Sequence, residues 1–322
     1  MRIGKVTDSV LKRSVIKLLK DNSNKKSAVV TPDCACSIDG ENRKLVSAVS
    51  TFTVDAKGGG YNAMYKASNN IFAVGAKPQM AVVNILLDSN TEEADLKDIV
   101  RDCKRAADEL SIPIRGGHTE VSDALSRPLV SVYVTGVSES EIIPNKDASA
   151  IVMTKWTGVE GTAILAEKYA DKLSERLPQY MIEDGKAFKK LLSIREDAQI
   201  AIKEGASYLH DVSSGGIFAA LWELADMAGC GIDVDLKSIP IRQETIEITN
   251  HLGYNPYQML SGGSLLFITD REDETISTLN ENGIEATVIG RTTDSNDRII
   301  RNDGEIRFLD KPQADELLKT EV

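Results

Sequence analysis

Tyr208-Leu209-His210-Asp211-Val212-Ser213-Ser214-Gly215-Gly216, continued by Ile217 to Met227, reads as a short strand, a turn through paired glycines and a helix. The helical part is strongly patterned: Phe218, Leu221, Leu224 and Ala225 recur at helical spacing and mark one buried face. A strand feeding directly into a helix is the repeating step of a sheet layered with helices. Around this stretch the pattern predicts strand Ala150 to Lys155, helix Gly161 to Ala170 and a long helical stretch from Glu183 to Glu204. Beyond it come strands Ile232 to Val234, Ser264 to Ile268 and Ala286 to Ile289, and a hairpin from Arg298 to Phe308.

The first half shows the same rhythm. An amphipathic lead-in covers Arg2 to Leu19, followed by two β-rich runs, Ser27 to Thr31 and Leu45 to Val54, with Pro32-Asp33-Cys34-Ala35-Cys36 as the loop between them. A helix is expected from Tyr61 to Ala73, a strand from Met80 to Leu87, and a helix capped by Asn90 or Thr91 that runs to about Leu110. Strands Ile112 to Arg115 and Leu129 to Thr135 follow. The stretch Ser138 to Lys146, with Pro144-Asn145, is the candidate linker. It sets the expected domains at 1–145 and 146–322, each an α+β layer.

Length agrees with two domains, since 322 residues exceed one ordinary core of ~100–200 residues. The chain carries 38 basic and 49 acidic residues, a net charge of −11. A surface of that sign does not suit nucleic acid, whose phosphates need a basic face. Apolar runs such as Met80 to Leu87 fall far short of the ~20 residues that cross a bilayer. The four cysteines, Cys34, Cys36, Cys103 and Cys230, show no CxxC spacing and no apolar signal precedes them. The expectation is a cytoplasmic protein with reduced thiols.

Three glycine-rich turns are candidates for chemistry. Lys57-Gly58-Gly59-Gly60 precedes a helix, where glycine lets an anion approach the backbone and the helix start offers unpaired N–H groups; a plain flexible turn is the competing reading. It matches neither the P-loop nor the dinucleotide fingerprint. Arg115-Gly116-Gly117-His118-Thr119-Glu120 sets His118 and Glu120 on one strand face if the strand continues, fit for a metal or a proton transfer, against a bland surface histidine beside a turn. In His210 to Gly216, Asp211 is either a functional acid or a helix cap. Cys34 and Cys36 read as small packing residues, and the charged clusters Glu92 to Lys97 and Arg271 to Glu274 as solvated helix starts.

Seven segments in chain order carry a resemblance. They are Pro32-Asp33-Cys34-Ala35, Val49 to Asp55, Ser68-Asn69-Asn70 to Pro78, Gly116 to Glu120, Thr154 to Ala163, His210 to Gly216 and Ser261 to Leu266. Together they resemble the aminoimidazole-ribonucleotide (AIR) synthetase superfamily over nearly the whole chain. Within it the chain looks closest to the hydrogenase-maturation-factor-like, carbamoyl-dehydratase-like branch, through Glu160 to Ala166 and Lys311 to Leu317. The resemblance implies a two-domain α+β fold, an N-domain sheet that pairs across a homodimer, and a C-domain α/β layer beside it. It further implies ATP with Mg²⁺ between the domains, a small carbonyl, amide or carboxamide-type substrate activated at oxygen, and a protein partner in a maturation pathway.

By that likeness Asp33, Ser50, Lys57, Gly58, Gly59, Gly60, Asn70, Gly116, Gly117 and Thr119 are expected to bind the nucleotide, Asp33 and Asp211 the metal, and Asp211 and His118 to be catalytic. The sequence departs from the family at Ser50, Asn70 and His118, where acids are usual. The final cysteine is Cys230, so chemistry on a C-terminal carrier cysteine is not expected. The alternative expectation is a catalytically degenerate, dimeric nucleotide-binding or regulatory homologue.

Overall fold

The computed structural model describes residues 6, 8–19, 35–39, 44–54, 57–138, 142–145 and 149–318. It falls into two compact units, one comprising Lys20–Ser140 and the other Met1–Leu19 together with Glu141–Val322.

Among the described residues the smaller unit is a five-stranded sheet with two helices. Its strands are β1 (Ala35–Asp39), β2 (Lys44–Phe52), β3 (Ala76–Leu87), β4 (Ile114–Val121) and β5 (Leu129–Ser138), in the order β1-β2-β5-β3-β4. Only β3 and β4 pair in parallel, as their connection through a helix requires. Along β2, Val46, Ala48, Ser50 and Phe52 are buried and alternate with Leu45, Ser47, Val49 and Thr51, so one face is covered and the other open. The helices α3 (Gly59–Ala73) and α4 (Glu93–Glu109) are numbered after the N-terminal pieces α1 (Asp8–Leu11) and α2 (Lys17–Leu19).

Here the structure corrects several expectations. Ala35 and Cys36 belong to a strand, whereas Ser27 to Thr31, Asp33 and Cys34 lie outside the described residues. Strand β4 extends beyond Arg115 through Val121 and includes Gly116 to Glu120. The second helix is not opened by Asn90 or Thr91. Asp88 takes both, accepting from the Asn90 N–H at 2.9 Å and the Thr91 hydroxyl at 2.8 Å, and the helix starts after Glu92, whose N–H donates to Asp95 at 3.1 Å.

In the larger unit a seven-stranded sheet runs β12-β11-β8-β10-β6-β9-β7. The strands are β6 (Ala150–Thr154), β7 (Tyr208–Val212), β8 (Gly231–Asp235), β9 (Ser264–Thr269), β10 (Ala286–Thr293), β11 (Arg298–Asn302) and β12 (Glu305–Phe308). Strands β6 and β9 are buried along their whole length, the mark of a sheet covered on both faces. The helices are α5 (Val159–Lys168), α6 (Ala170–Ser174), α7 (Gln179–Ala187), α8 (Arg195–Lys203), α9 (Gly216–Ala228), α10 (Gln243–Leu252) and α11 (Glu272–Glu281). One core joins Ile217, Leu221 and Leu224 of α9 to Ile151, Met153 and Leu266 of the sheet; a second joins Leu165, Ile182 and Ile248.

The stretch Glu183 to Glu204 is not one helix. The first helix ends at Ala187, a 3₁₀ turn spans Phe188–Leu191, and α8 starts after Ile194; in the gap the Ser193 carbonyl accepts from Lys155 Nζ at 2.7 Å and its hydroxyl from the Arg195 N–H at 3.2 Å. Helix α10 has no counterpart in the sequence reading, because Thr245, Ile246, Ile248 and Thr249 are poor helix formers. Tertiary contacts hold it, including a 2.8 Å bond between the buried hydroxyls of Thr162 and Thr245. The segment Leu173 to Met181 ends α6 and opens α7, with Leu173 fully buried.

Candidate functional site

In the smaller unit the glycine turn is built as a helix start. Gly58 has φ 80°, a left-handed conformation that costs a residue with a Cβ ~1–2 kcal/mol, and α3 begins at Gly59. Gly59 does not take positive φ. The third glycine is needed for packing, since a Cβ on Gly60 would lie 2.5 Å from Cys103 Sγ of α4. No side chain caps α3 and its first turn carries no acid. The exposed Lys57 precedes it.

This start is held firmly. Tyr61 and Tyr65 both donate to Glu109 Oε2, at 2.6 and 2.7 Å, and the Arg105 guanidinium lies 4.6 Å from the Tyr61 ring centre. Burial, reinforced by the bond to Glu109, pushes Tyr61 up to about 12 and raises Tyr65 as well. Burial also pushes the Cys103 thiol up to about 12, which leaves it neutral and unreactive.

Ser50 and Asn70 are both buried, Ser50 on the covered face of β2 and Asn70 on α3. Ser50 Oγ and Asn62 Nδ2 are buried without a hydrogen-bond partner. Helix α3 packs on β2 and β5. Gly59 approaches Phe52 at one end, and Ile71 approaches Gly136, the partner of Val46, at the other.

His118 is not part of this group. The pairing rows Thr51–Ser131–Asn84–His118 and Ser50–Val132–Val83–Gly117 are adjacent, so His118 and Ser50 point to opposite faces of the sheet. His118 is exposed and its Nε2 lies 3.0 Å from Glu120 Oε2. Thr119, paired with Ile85, is exposed and lies two residues beyond Gly117 on the strand. Gly117 is required, because a Cβ there would strike the Val83 carbonyl oxygen, whereas Gly116 has open space.

In the larger unit four of the segments that resemble the family converge on one hydrogen-bonded knot. Lys155 spends its three protons on the carbonyls of Ser193 and Gly263, at 2.7 and 2.8 Å, and on Asp197 Oδ2 at 2.9 Å. The Ser261 hydroxyl accepts from the Gly158 N–H at 2.7 Å, and buried Glu160 accepts from the Gly262 N–H at 3.1 Å. The Ser261 N–H reaches the Ser213 carbonyl at 3.3 Å. Helix α9 starts after Gly215, φ 81°, whose N–H donates to Asp315 Oδ2 at 2.7 Å. Asp211 is buried on β7. Beside it His210 sets Nδ1 2.7 Å from the Asp211 carbonyl and Nε2 3.3 Å from Glu223 Oε2.

The buried acids Glu160, Asp197 and Asp315 were missed in the sequence. Glu160 could have been found as an acid set among small and apolar residues, Val159 to Ala163; the others carry no local signal. Among the described residues no three His, Cys, Asp or Glu side chains are grouped to hold a metal. Of the two residues expected to hold a metal, Asp33 lies outside the described residues and Asp211 is buried on β7; at Ser50 and Asn70, where the resemblance expects acids, the smaller unit offers a buried hydroxyl and an amide in place of the carboxylate oxygens that Mg²⁺ favours. No helix among the described residues is long and apolar enough to cross a membrane.

A putative hydrogenase expression/formation protein of Methanocaldococcus jannaschii is 25% identical over 311 residues, covering 92% of this chain and 90% of its own length. The carbamoyl dehydratase HypE of Cupriavidus necator is 26% identical over 64% of this chain, which spans 58% of that protein. Among solved structures, a chain of a HypE–HypF complex superposes with a TM-score of 0.71 at 20% identity, covering 94% of this chain and 99% of that one. AaThiL complexed with AMPPCP and TMP gives 0.73 at 17% identity, covering 96% and 98%. Residues 24–138 match the AIR synthase related protein N-terminal domain and residues 147–302 the C-terminal domain of the same family, so the chain belongs to the AIR synthase related proteins.

Proposed function

We propose that this protein binds ATP with the triphosphate at the start of α3 and uses it to activate a small carbonyl, amide or carboxamide substrate at oxygen. The observation that carries this reading is the contrast between helix starts. That of α9 is filled by Asp315, and in α5 the Gly158 and Gly161 N–H groups are bonded to Ser261 and Leu260. That of α3 has no side-chain cap, no acid in its first turn and Lys57 beside it. Similar proteins support it: one solved HypE is in complex with ATP, and AaThiL holds the ATP analogue AMPPCP.

In this reading the α3 N–H groups and Lys57 hold phosphate oxygens, and the Tyr61–Glu109–Tyr65 contacts keep the turn rigid. The substrate oxygen bonds to the γ-phosphorus, the bridging P–O bond breaks, and ADP leaves with that electron pair. No step is assigned to a metal. A second reading, a degenerate nucleotide-binding homologue, is favoured by the burial of Ser50 and the separation of His118 from it.

Self-association through the open face of the smaller unit's sheet is part of the proposal, since Val49, Tyr133 and Met80 are exposed there. So is a maturation partner, by analogy with the HypE–HypF complex. Amide exchange tests the phosphate placement. ATP is expected to slow exchange at Gly59 to Tyr61 and to leave Gly215 to Ile217 unchanged; protection at the second stretch alone would move the phosphates to α9.

A further inference from the structure

Strand β12 lies at the edge of the larger unit's sheet with β11 as its neighbour, and all four of its residues are exposed. Two of them are large and apolar, Ile306 at 55% and Phe308 at 68% exposure. The hairpin of β11 and β12 pairs Asn302 with Glu305, Arg301 with Ile306, Ile300 with Arg307 and Ile299 with Phe308. Its two turn residues, Asp303 at φ 48° and Gly304 at φ 87°, are both left-handed, as in a type I′ turn, so the flanking Asn302 and Glu305 exchange hydrogen bonds. Bonding then alternates along the strand: Glu305 and Arg307 turn their backbone groups to β11, as Leu309 does when its N–H donates to the Arg298 carbonyl at 2.7 Å. The N–H and C=O of Ile306 and Phe308 therefore point out of the sheet edge. The strand has no proline, and its register with β11 runs without a bulge, so the charges of Glu305 and Arg307 are what guards it.

We propose that β12 is a docking edge for a second copy of this chain, joined strand to strand and antiparallel about a twofold axis at Ile306. In that register Ile306 meets the same residue of the second copy as a hydrogen-bonded pair, which uses the backbone groups that point outward. Glu305 then stands opposite Arg307 of the second copy, and Arg307 opposite its Glu305. The two charged side chains share one face of the strand, where the Arg307 guanidinium donates to Glu305 Oε2 at 2.7 Å, and at 72% and 63% exposure both are free to reach across the axis. Charges that repel a foreign edge are thus complementary to this chain's own. On the opposite face the axis brings Ile306 onto its twin and Phe308 towards Gly304 of the second copy, covering apolar surface that the single chain leaves in water. A pairing centred on Arg307 fails twice, since it sets like charges opposite each other and needs backbone groups already bonded to β11. A strand of four residues binds weakly, so the contact is expected at high protein concentration. It is separate from the sheet face of the smaller unit and does not rest on the nucleotide reading.

The test is sedimentation of the full chain from micromolar to millimolar concentration, for the native protein, Glu305→Arg, Arg307→Glu and an equimolar mixture of the two variants. The native mean mass is expected to rise at the upper end of the range. Each variant alone sets like charges opposite each other and should weaken that association roughly tenfold or more, whereas the mixture sets arginine opposite glutamate at every position and should restore it. Ile306→Cys gives a second readout. Its Cα atoms would lie about 5.5 Å apart across the axis, so mild oxidation should link two chains in excess of any link formed by the native protein, and adding Glu305→Arg should suppress the link. A native mass that does not rise, a mixture that behaves like the single variants, or a link in Ile306→Cys that Glu305→Arg leaves unchanged overturns the proposal.

Discussion

Ser50 shows why single residues cannot be exchanged back towards the family pattern. It stands where the resemblance expects an acid, yet it is 5% exposed and its hydroxyl has no partner. Ser50→Asp would bury a carboxylate on the covered face of β2 and is expected to cost about 3 kcal/mol or more, read as a shift of the urea midpoint. His118→Asp, on the exposed face, should change stability by less than about 0.5 kcal/mol. Tyr61 and Tyr65 supply a pH signature. Folding holds both phenols neutral, so their contribution is complete below the ordinary value of 10.0 and is lost as pH rises towards about 12 for Tyr61. Stability measured from pH 9 to 12 should fall, and Tyr61→Phe should flatten that fall.

Elements were legible where local pattern and tertiary packing agree. Helix α9 announces itself through Leu221 and Leu224, and β2 through its alternation. The sequence misled where tertiary contacts intervene: the long helix is interrupted from Phe188 to Ile194, where Lys155 binds the Ser193 carbonyl, and α10 forms despite its threonines. The glycine turns were visible, but their division of labour was not, because Gly60 is explained only by Cys103 on another helix. That contact gives a prediction for the α3–α4 pair. Gly60→Ala should destabilise by about 1–3 kcal/mol through overpacking, and adding Cys103→Ala should recover part of the loss. Strictly additive losses in a double-mutant cycle would contradict the contact.

For the whole molecule, the two family domains and the site turns were readable from seven ordered segments, whereas the buried acids that knot the larger unit were not, since Lys155–Asp197 and Gly215–Asp315 join residues far apart in sequence. Self-association is tested by light scattering. The native chain is expected at twice 35.0 kDa, and Tyr133→Asp, which places a charge on the open sheet face, is expected nearer the single-chain mass. The central claim is that ATP binds through the α3 turn with little help from protein carboxylates. Calorimetric titration of ATP into the native protein and Lys57→Ala, each with Mg²⁺ and with chelator, tests it most directly. The account predicts binding in both conditions, with affinity falling by less than about tenfold in chelator and by about tenfold in Lys57→Ala; no heat of binding, or binding strictly dependent on Mg²⁺ and indifferent to Lys57, would contradict it.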